Sequence, residues 1–342
     1  MSTHANRTAN VQQKSEHRIS YDVVTLGETM LRFTPDGFLR LEQSGSFQLH
    51  VGGSESNTAV GLSRLGKRVA WISRLTDNPL GRRISGAIAA HGVDTSHVVW
   101  TDRDRVGLYF FEVGSPPRNS QVLYDRSLSA FSQFSPDELP IEIFASGLSR
   151  WLHITGISLW LGETTRELVR ESVRLARAAG WKISFDVNHR TTLCSVVEAK
   201  MHCQSLFESA DVVFLPSRDA IRLWQMDERK DDNRIMKTLL EMRQGKTTVM
   251  TLGGRGAMVS EGAQSIIQLI EPVEPIGRLG GGDAFSAGFL SALLDGFDLE
   301  HSLRWAVATA RLKYSIPGDL PLIDRKEVEN LVCGQAKEST IR

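Results

Sequence analysis

The chain has 342 residues, enough for one large domain or two ordinary ones with a substantial buried core. Apolar residues make up 41% and charged residues 23%, the balance of a globular protein rather than a disordered or membrane-spanning one. Lys+Arg and Asp+Glu are equal at 40 each, so no net field holds the chain on nucleic acid or an anionic membrane, and a charged ligand must be met by local groups.

From the N-terminus, Met1 to Ser20 is polar, lacks the apolar segment of a secretory signal, and reads as a disordered tail. Short apolar, β-branched runs follow at Asp22–Leu26, Val69–Leu75, Trp151–Thr155, Lys182–Val187, Asp211–Leu215 and Thr247–Leu252. They read as buried parallel strands. Amphipathic helical patterns lie between them at Thr164–Ala179, Met201–Ser209 and Asn233–Arg243. That alternation predicts a doubly wound α/β domain with a mostly parallel sheet. Residues 31–50 and 104–127 break it: Val106–Glu112 and Gln121–Tyr124 have strand composition without intervening helices, and read as a small β lid. A lid suits phosphoryl transfer, because it excludes the water that competes with an acceptor hydroxyl. No apolar run reaches the roughly 18 residues of a membrane span. Cys194, Cys203 and Cys333 form neither a CxxC pair nor a zinc-type cluster, which favours a reduced, cytoplasmic setting. His153 and the seven tryptophans read as core.

Three Gly-rich stretches carry the candidate chemistry. Gly280-Gly281-Gly282-Asp283 precedes an apolar helical pattern through Phe285 and Phe289. Glycines at a helix start leave backbone N–H groups open to an anion, and Asp283 there is either an N-cap or a base for a hydroxyl held beside a phosphoryl group. Gly52-Gly53-Ser54-Glu55-Ser56-Asn57 opens a second helix; it is an ordinary turn and cap, or a ligand contact through Gly53 and Asn57. Thr251-Leu252-Gly253-Gly254-Arg255-Gly256-Ala257 is a hairpin turn or a nucleotide loop. No GK[ST] follows its glycines, and no GxGxxG follows the first strand, so neither a Walker A loop nor a nicotinamide dehydrogenase is expected. Asp186-Val187-Asn188-His189-Arg190 lies at the carboxyl end of a strand; Arg190 is placed there for a phosphate, a carboxylate or a surface ion pair.

In order along the chain, these stretches resemble the ribokinase-like (PfkB) carbohydrate kinases from about Asp22 to about Leu331. Within that family the likeness is to the 2-keto-3-deoxygluconate kinases. GGSESN at 52–57, LYFFE at 108–112, Tyr124-Asp125-Arg126, FDVNHR at 185–190, TLGGRGA at 251–257, GGGDAF at 280–285, and the late run Leu312 to Asp319 carry it, with Gly277-Arg278-Leu279 and Ile-Pro-Gly-Asp favouring the sugar-acid subgroup. The resemblance implies a kinase domain over residues 21–333, a C-terminal tail at 334–342, and a β lid that in relatives often builds a dimer. It implies that Gly53, Asn57, Tyr109, Tyr124, Arg126 and Asp319 face the sugar, and that Asn188 and Arg190 lie between sugar and nucleotide. Thr251, Gly253, Gly254 and Gly256 would border ATP. Gly280, Gly281 and Gly282 would form the anion hole and Asp283 would be the base. Arg126 and Arg190 suit an acceptor with a carboxylate, which Arg binds bidentately.

Three positions depart from the family pattern. Gly277 stands where an Asp often supports a monovalent cation, which puts potassium activation in doubt. Ser217-Arg218-Asp219-Ala220 replaces the Asn-x-x-Glu that organises Mg2+, and the one-residue shift is expected to point Asp219 elsewhere on its helix. Gly281 replaces a common Ala. The expected function is therefore ATP- and Mg2+-dependent phosphorylation of 2-keto-3-deoxygluconate at its terminal hydroxyl. The alternatives are a kinase for another sugar such as fructose, and a catalytically weakened sugar- or nucleotide-binding relative.

Overall fold

The structure is a computed structural model that describes residues 20–334, except 228, 230, 271, 272 and 278. The expected tails at 1–20 and 334–342 lie outside the described residues apart from Ser20 and Gly334, as does Arg278.

In the first half of the chain the strands are β1 (Tyr21–Leu26), β2 (Met30–Thr34), β3 (Gln48–Gly52), β4 (Val69–Thr76), β5 (Val98–Thr101), β6 (Leu108–Glu112) and β7 (Gln121–Asp125). The helices there are α1 (Ser54–Arg64) and α2 (Pro79–Ala89). Strands of the second half are β8 (Ser149–Thr155), β9 (Lys182–Asp186), β10 (Val212–Pro216), β11 (Thr248–Thr251), β12 (Gly256–Glu261) and β13 (Gln264–Leu269). Its helices are α3 (Gly156–Trp160), α4 (Glu163–Ala178), α5 (Val196–Ser209), α6 (Ser217–Trp224), α7 (Asp232–Met242), α8 (Gly281–Leu294), α9 (Leu299–Tyr314) and α10 (Arg325–Val332).

Nine strands form one sheet in the order β13-β12-β11-β10-β9-β8-β1-β4-β5. The pairings from β11 through β5 are parallel, and β12 and β13 add an antiparallel edge. The six expected strands are all present within two residues of their predicted ends. The helices at 164–179 and 233–243 are met within one residue, whereas α5 begins five residues before the expected Met201. A capping box explains that earlier start: Ser195 Oγ accepts from Glu198 N, and Glu198 reaches back to the Ser195 N–H.

Apolar packing covers both faces. On one side Leu159, Leu168, Ala199, Ala220 and Ile235 of α3–α7 pack on Val24, Ile154, Phe185 and Leu215. On the other, Ala59 and Leu62 of α1, Ile84 of α2, Phe289 of α8 and Leu303 of α9 pack on Val23, Trp71 and Val249. Six tryptophans are core as expected, but Trp100 on the edge strand β5 is 42% exposed. An edge strand is covered on fewer sides, which composition alone does not reveal. His153 is fully buried, with Nδ1 2.9 Å from Ser184 Oγ, and burial pushes its pKa down to about 3, so it is a neutral core imidazole.

The lid is a four-stranded sheet in the order β3-β2-β6-β7. It mixes antiparallel β2–β3 and β6–β7 pairs with a parallel β2–β6 pair. Phe33, Phe47 and Phe110 cluster on it, with Phe33 and Phe110 stacked at 5.4 Å. Among the described residues no helix is long and apolar enough to cross a membrane.

Candidate active site

Parallel strands bring their carboxyl ends to one edge, and that edge carries the candidate residues. Glu28 follows β1, Asn188 and Arg190 follow β9, and the Gly253 turn follows β11. The lid approaches the same edge. Between them lies an open cleft of about 590 Å³, lined by Gly53, Asn57, Tyr109, Tyr124, Arg126, Arg190, Gly280, Asp283 and Asp319 among others.

Asp283 is the third residue of α8, and α8 packs between α1 and α9. Its carboxylate is held on both oxygens by neutral donors. Ser54 Oγ donates to Oδ1 at 2.6 Å and Asn57 Nδ2 donates to Oδ2 at 2.7 Å. Burial raises its pKa; the Ser54 and Asn57 hydrogen bonds and the Arg190 charge oppose that rise, while Asp319 adds to it. Asp283 does not cap the helix: Gly280 is the N-cap, in a left-handed conformation at φ 73. Glycine is required there, because a Cβ would sit 2.0 Å from the Asp319 carbonyl oxygen. Gly281 and Gly282 form the first turn. Gly53 has a similar constraint, with a Cβ falling 2.1 Å from the Glu28 carbonyl oxygen. That close approach ties the start of α1, and with it Ser54 and Asn57, to the end of β1.

The lid side of the cleft is built from opposite charges. Arg126 donates through both Nε, at 2.9 Å, and NH2 to Glu28 Oε2, and both side chains are buried. Among the described residues Glu28 Oε1 has no hydrogen-bond partner. The Arg126 guanidinium also lies 5.7 Å over the Tyr124 ring, and Tyr124 packs against Tyr109 at 5.9 Å. Tyr109 donates to Asp319 Oδ1, and Arg32 NH1 lies 3.1 Å from Asp319 Oδ2. Beneath this loop the Lys313 ammonium donates to the carbonyls of Ile316 at 2.8 Å and Gly318 at 2.9 Å. Burial lowers the Lys313 pKa to about 8. Unlike Arg32 and Arg126, Arg190 makes no ion pair within 4 Å among the described residues, although its charge is felt by Asp186, Asp219 and Asp283.

The remaining expected residues divide. Asn188 sits behind Asp283, its Nδ2 2.8 Å from Ser54 Oγ. Thr251, Gly253, Gly254 and Gly256 form the tight turn between antiparallel β11 and β12, at the same sheet edge but outside the cleft that holds Asp283. The hairpin alternative for this stretch is thus the local geometry. Asp219 departs from expectation: it is 2% exposed and lies close enough to His189 and Arg190 to feel their charge, because α6 packs its first turn against the loop after β9. Gly277 brings no side chain to its position.

Sequence reasoning missed Glu28, Glu55 and the structural part of Ser54. Glu55 is fully buried, its Oε1 accepting from Thr155 N at 3.1 Å, Thr155 Oγ1 at 2.8 Å and Ser158 Oγ at 2.9 Å. Burial raises its pKa to about 7, against the pull of those donors. The available signal for Glu28 was a carboxylate directly after the first strand, at the edge where ligands bind.

A doubly wound sheet, a β lid and a buried carboxylate at a Gly-rich helix start define a phosphotransferase acting on an alcohol. Residues 20–321 match the model of the pfkB family carbohydrate kinases. The chain belongs to that family, in its ribokinase-like fold. A 2-dehydro-3-deoxygalactonokinase of Haloferax volcanii is 37% identical, covering 92% of this chain and 97% of its own. A 5-dehydro-2-deoxygluconokinase of Shouchella clausii is 28% identical over 91% of this chain and 95% of its own. The crystal structure of a 2-dehydro-3-deoxygluconokinase of Thermotoga maritima superposes with a TM-score of 0.86 at 30% identity, covering 93% of this chain and all of that one.

Proposed function

We propose that the chain transfers the γ-phosphoryl group of ATP to the terminal hydroxyl of a 2-keto-3-deoxy sugar acid, 2-keto-3-deoxygluconate or its galactonate epimer. The observation that carries this reading is the Asp283 carboxylate, buried in the cleft beside Gly280 and held by neutral donors that leave lone pairs on both oxygens. Asp283 takes the proton of the acceptor hydroxyl as its oxygen bonds to the γ-phosphorus. The bond from phosphorus to the β-phosphate bridging oxygen breaks, and ADP leaves. Gly280, Gly281 and Gly282 offer their backbone N–H groups, at the positive end of α8, to the charge on the transferring phosphoryl oxygens. The transition state is loose, so positioning and charge supply most of the rate.

Gly53, Asn57, Tyr109, Tyr124, Arg126 and Asp319 form the acceptor side of the cleft in this reading. The names of all three relatives describe sugar acids, which favours a carboxylated acceptor over fructose. Arg190 is the cation best able to answer that carboxylate or a phosphoryl oxygen, since Arg126 already serves Glu28. Asn188 borders both ligands, and the Thr251–Ala257 turn, with Thr251, Gly253, Gly254 and Gly256, is assigned to the nucleotide side. Among the described residues no three His, Cys, Asp or Glu side chains are grouped to hold a metal ion. Mg2+ would arrive with the ATP phosphates and keep several of its waters, and Asp219, buried in the first turn of α6, is the carboxylate we assign to it. When bound, the ion neutralises phosphate charge. We assign one kinase domain to residues 21–333.

The test is ADP release with MgATP and a panel of 2-keto-3-deoxygluconate, 2-keto-3-deoxygalactonate, 5-keto-2-deoxygluconate and fructose, with Asp283→Asn as control. Turnover on the first two that the variant abolishes supports the reading. Activity confined to fructose moves the specificity, and binding of sugar or ATP without any turnover favours the weakened relative.

A further inference from the structure

Ser54 is the first residue of α1 and is buried, 8% exposed. Its hydroxyl sits in a relay: Asn188 Nδ2 donates to Ser54 Oγ at 2.8 Å, and Ser54 Oγ donates to Asp283 Oδ1 at 2.6 Å. A hydroxyl has one proton, and with Asn188 donating into it that proton is directed at the carboxylate. Asn188 is itself held unusually. Its backbone lies at φ 41, in the left-handed region that a non-glycine residue adopts at a cost, and its N–H bonds Asp186 Oδ1 at 3.1 Å. Asn57 is oriented too, since its Oδ1 faces the Gly53 N–H at 3.5 Å while its Nδ2 meets Asp283.

The charges facing Asp283 come from three directions. Arg190, after β9, favours the ionised carboxylate, and so does Lys313 of α9. Asp186 at the end of β9 and Asp319 after α9 oppose it. With cations and carboxylates thus balanced in kind, the neutral donors decide whether a buried Asp283 stays charged.

We propose that Ser54 is a positioning residue for the transfer: oriented by Asn188, its hydroxyl fixes Asp283 Oδ1, keeps the buried carboxylate ionised, and leaves its remaining lone pairs turned toward the acceptor. This rests on Asp283 being the base. Removing one hydrogen bond to a buried anion destabilises the anion alone, so the acid limb of kcat/KM for the sugar acid moves to higher pH. The experiment records that profile with saturating MgATP for the wild-type chain, Ser54→Ala, Ser54→Thr, Asn188→Ala and Asp283→Asn.

In Ser54→Ala the limb moves up by about one pH unit, with about a tenfold loss of kcat/KM on the acid side. Ser54→Thr, which keeps the hydroxyl, returns the limb toward the wild-type position. Asn188→Ala, which leaves the hydroxyl in place but removes the donor that orients it, moves the limb the same way by less. A limb that stays in place in Ser54→Ala, with Asp283→Asn inactive, overturns the role of Ser54 and leaves the base assignment standing. Near-normal turnover in Asp283→Asn overturns the base assignment instead. Should Ser54→Ala fail to fold by its thermal melt, Asn188→Ala carries the test, and an unmoved limb there counts against the relay.

Discussion

The two walls of the cleft hold their carboxylates in opposite ways. On the α1–α8 wall Asp283 is met by a hydroxyl and an amide, neither of them charged. On the lid wall Glu28 is met by Arg126, and Asp319 by Arg32 and Tyr109. A buried ion pair fixes geometry but leaves little free charge for a ligand. Neutral donors keep a carboxylate charged while leaving it able to accept a proton. The ion pairs suit a wall that must hold a shape, and the neutral donors suit a base.

The contrast is broken most severely at the proposed base, Asp283. Asp283→Asn keeps the size of the side chain and removes its ability to take a proton, so kcat should fall about 10²–10⁴-fold in the ADP-release assay while sugar binding persists by calorimetry. Turnover within tenfold of wild type would remove Asp283 from the chemistry. Next comes the lid wall. Arg126→Ala leaves Glu28 buried without its cation, and should cost about 3–5 kcal/mol in urea unfolding. An unchanged midpoint would mean that Glu28 finds water or another donor. The same substitution should raise KM for the acceptor more than it lowers kcat, because Arg126 lines the proposed acceptor side of the cleft.

Gly280→Ala tests the proposed anion hole. The residue sits at φ 73 and a Cβ would strike the Asp319 carbonyl, so the turn must shift. We expect a loss of about 2 kcal/mol or more and a larger fall in kcat than in acceptor affinity. A pH-dependent effect concerns Glu55, another buried carboxylate held by neutral donors. Its pKa is raised in the folded state to about 7, from an ordinary 4.5. Its share of stability is therefore fully present below pH 4.5 and is lost as pH rises through about 7. Glu55→Gln keeps the acceptor oxygen and removes the titration. Relative to wild type the variant should gain up to about 3 kcal/mol between those limits, in unfolding midpoints measured across pH. Parallel stability profiles would show that Glu55 stays ionised.

The sheet body was legible because its evidence is local. Short β-branched runs such as Lys182–Asp186, separated by amphipathic segments such as Glu163–Ala178, show their period within a few residues. The Gly280–Asp283 stretch stood out in the same way, through residue types at one helix start, and the structure opens α8 there. The antiparallel β12 and β13 were less visible, since Gln264–Leu269 is largely exposed and carries little apolar pattern.

What the sequence by itself determined was therefore the kind of fold and the kind of chemistry: an α/β sheet, a lid, and a Gly-rich helix start ending in a carboxylate. Only the tertiary structure decided which groups that chemistry meets. Ser54 reaches Asp283 across 229 positions, and Glu28 reaches Arg126 across 98. Ser54 could be read as a helix start and Glu28 as an unremarkable residue after a strand, because burial, charge pairing and the direction of a hydroxyl proton depend on contacts that no local pattern encodes. Arg126 shows the difference most clearly. Its residue type suits a carboxylate, but the fold supplies one from Glu28 before any substrate arrives, and leaves Arg190 as the cleft-lining cation with no ion pair among the described residues.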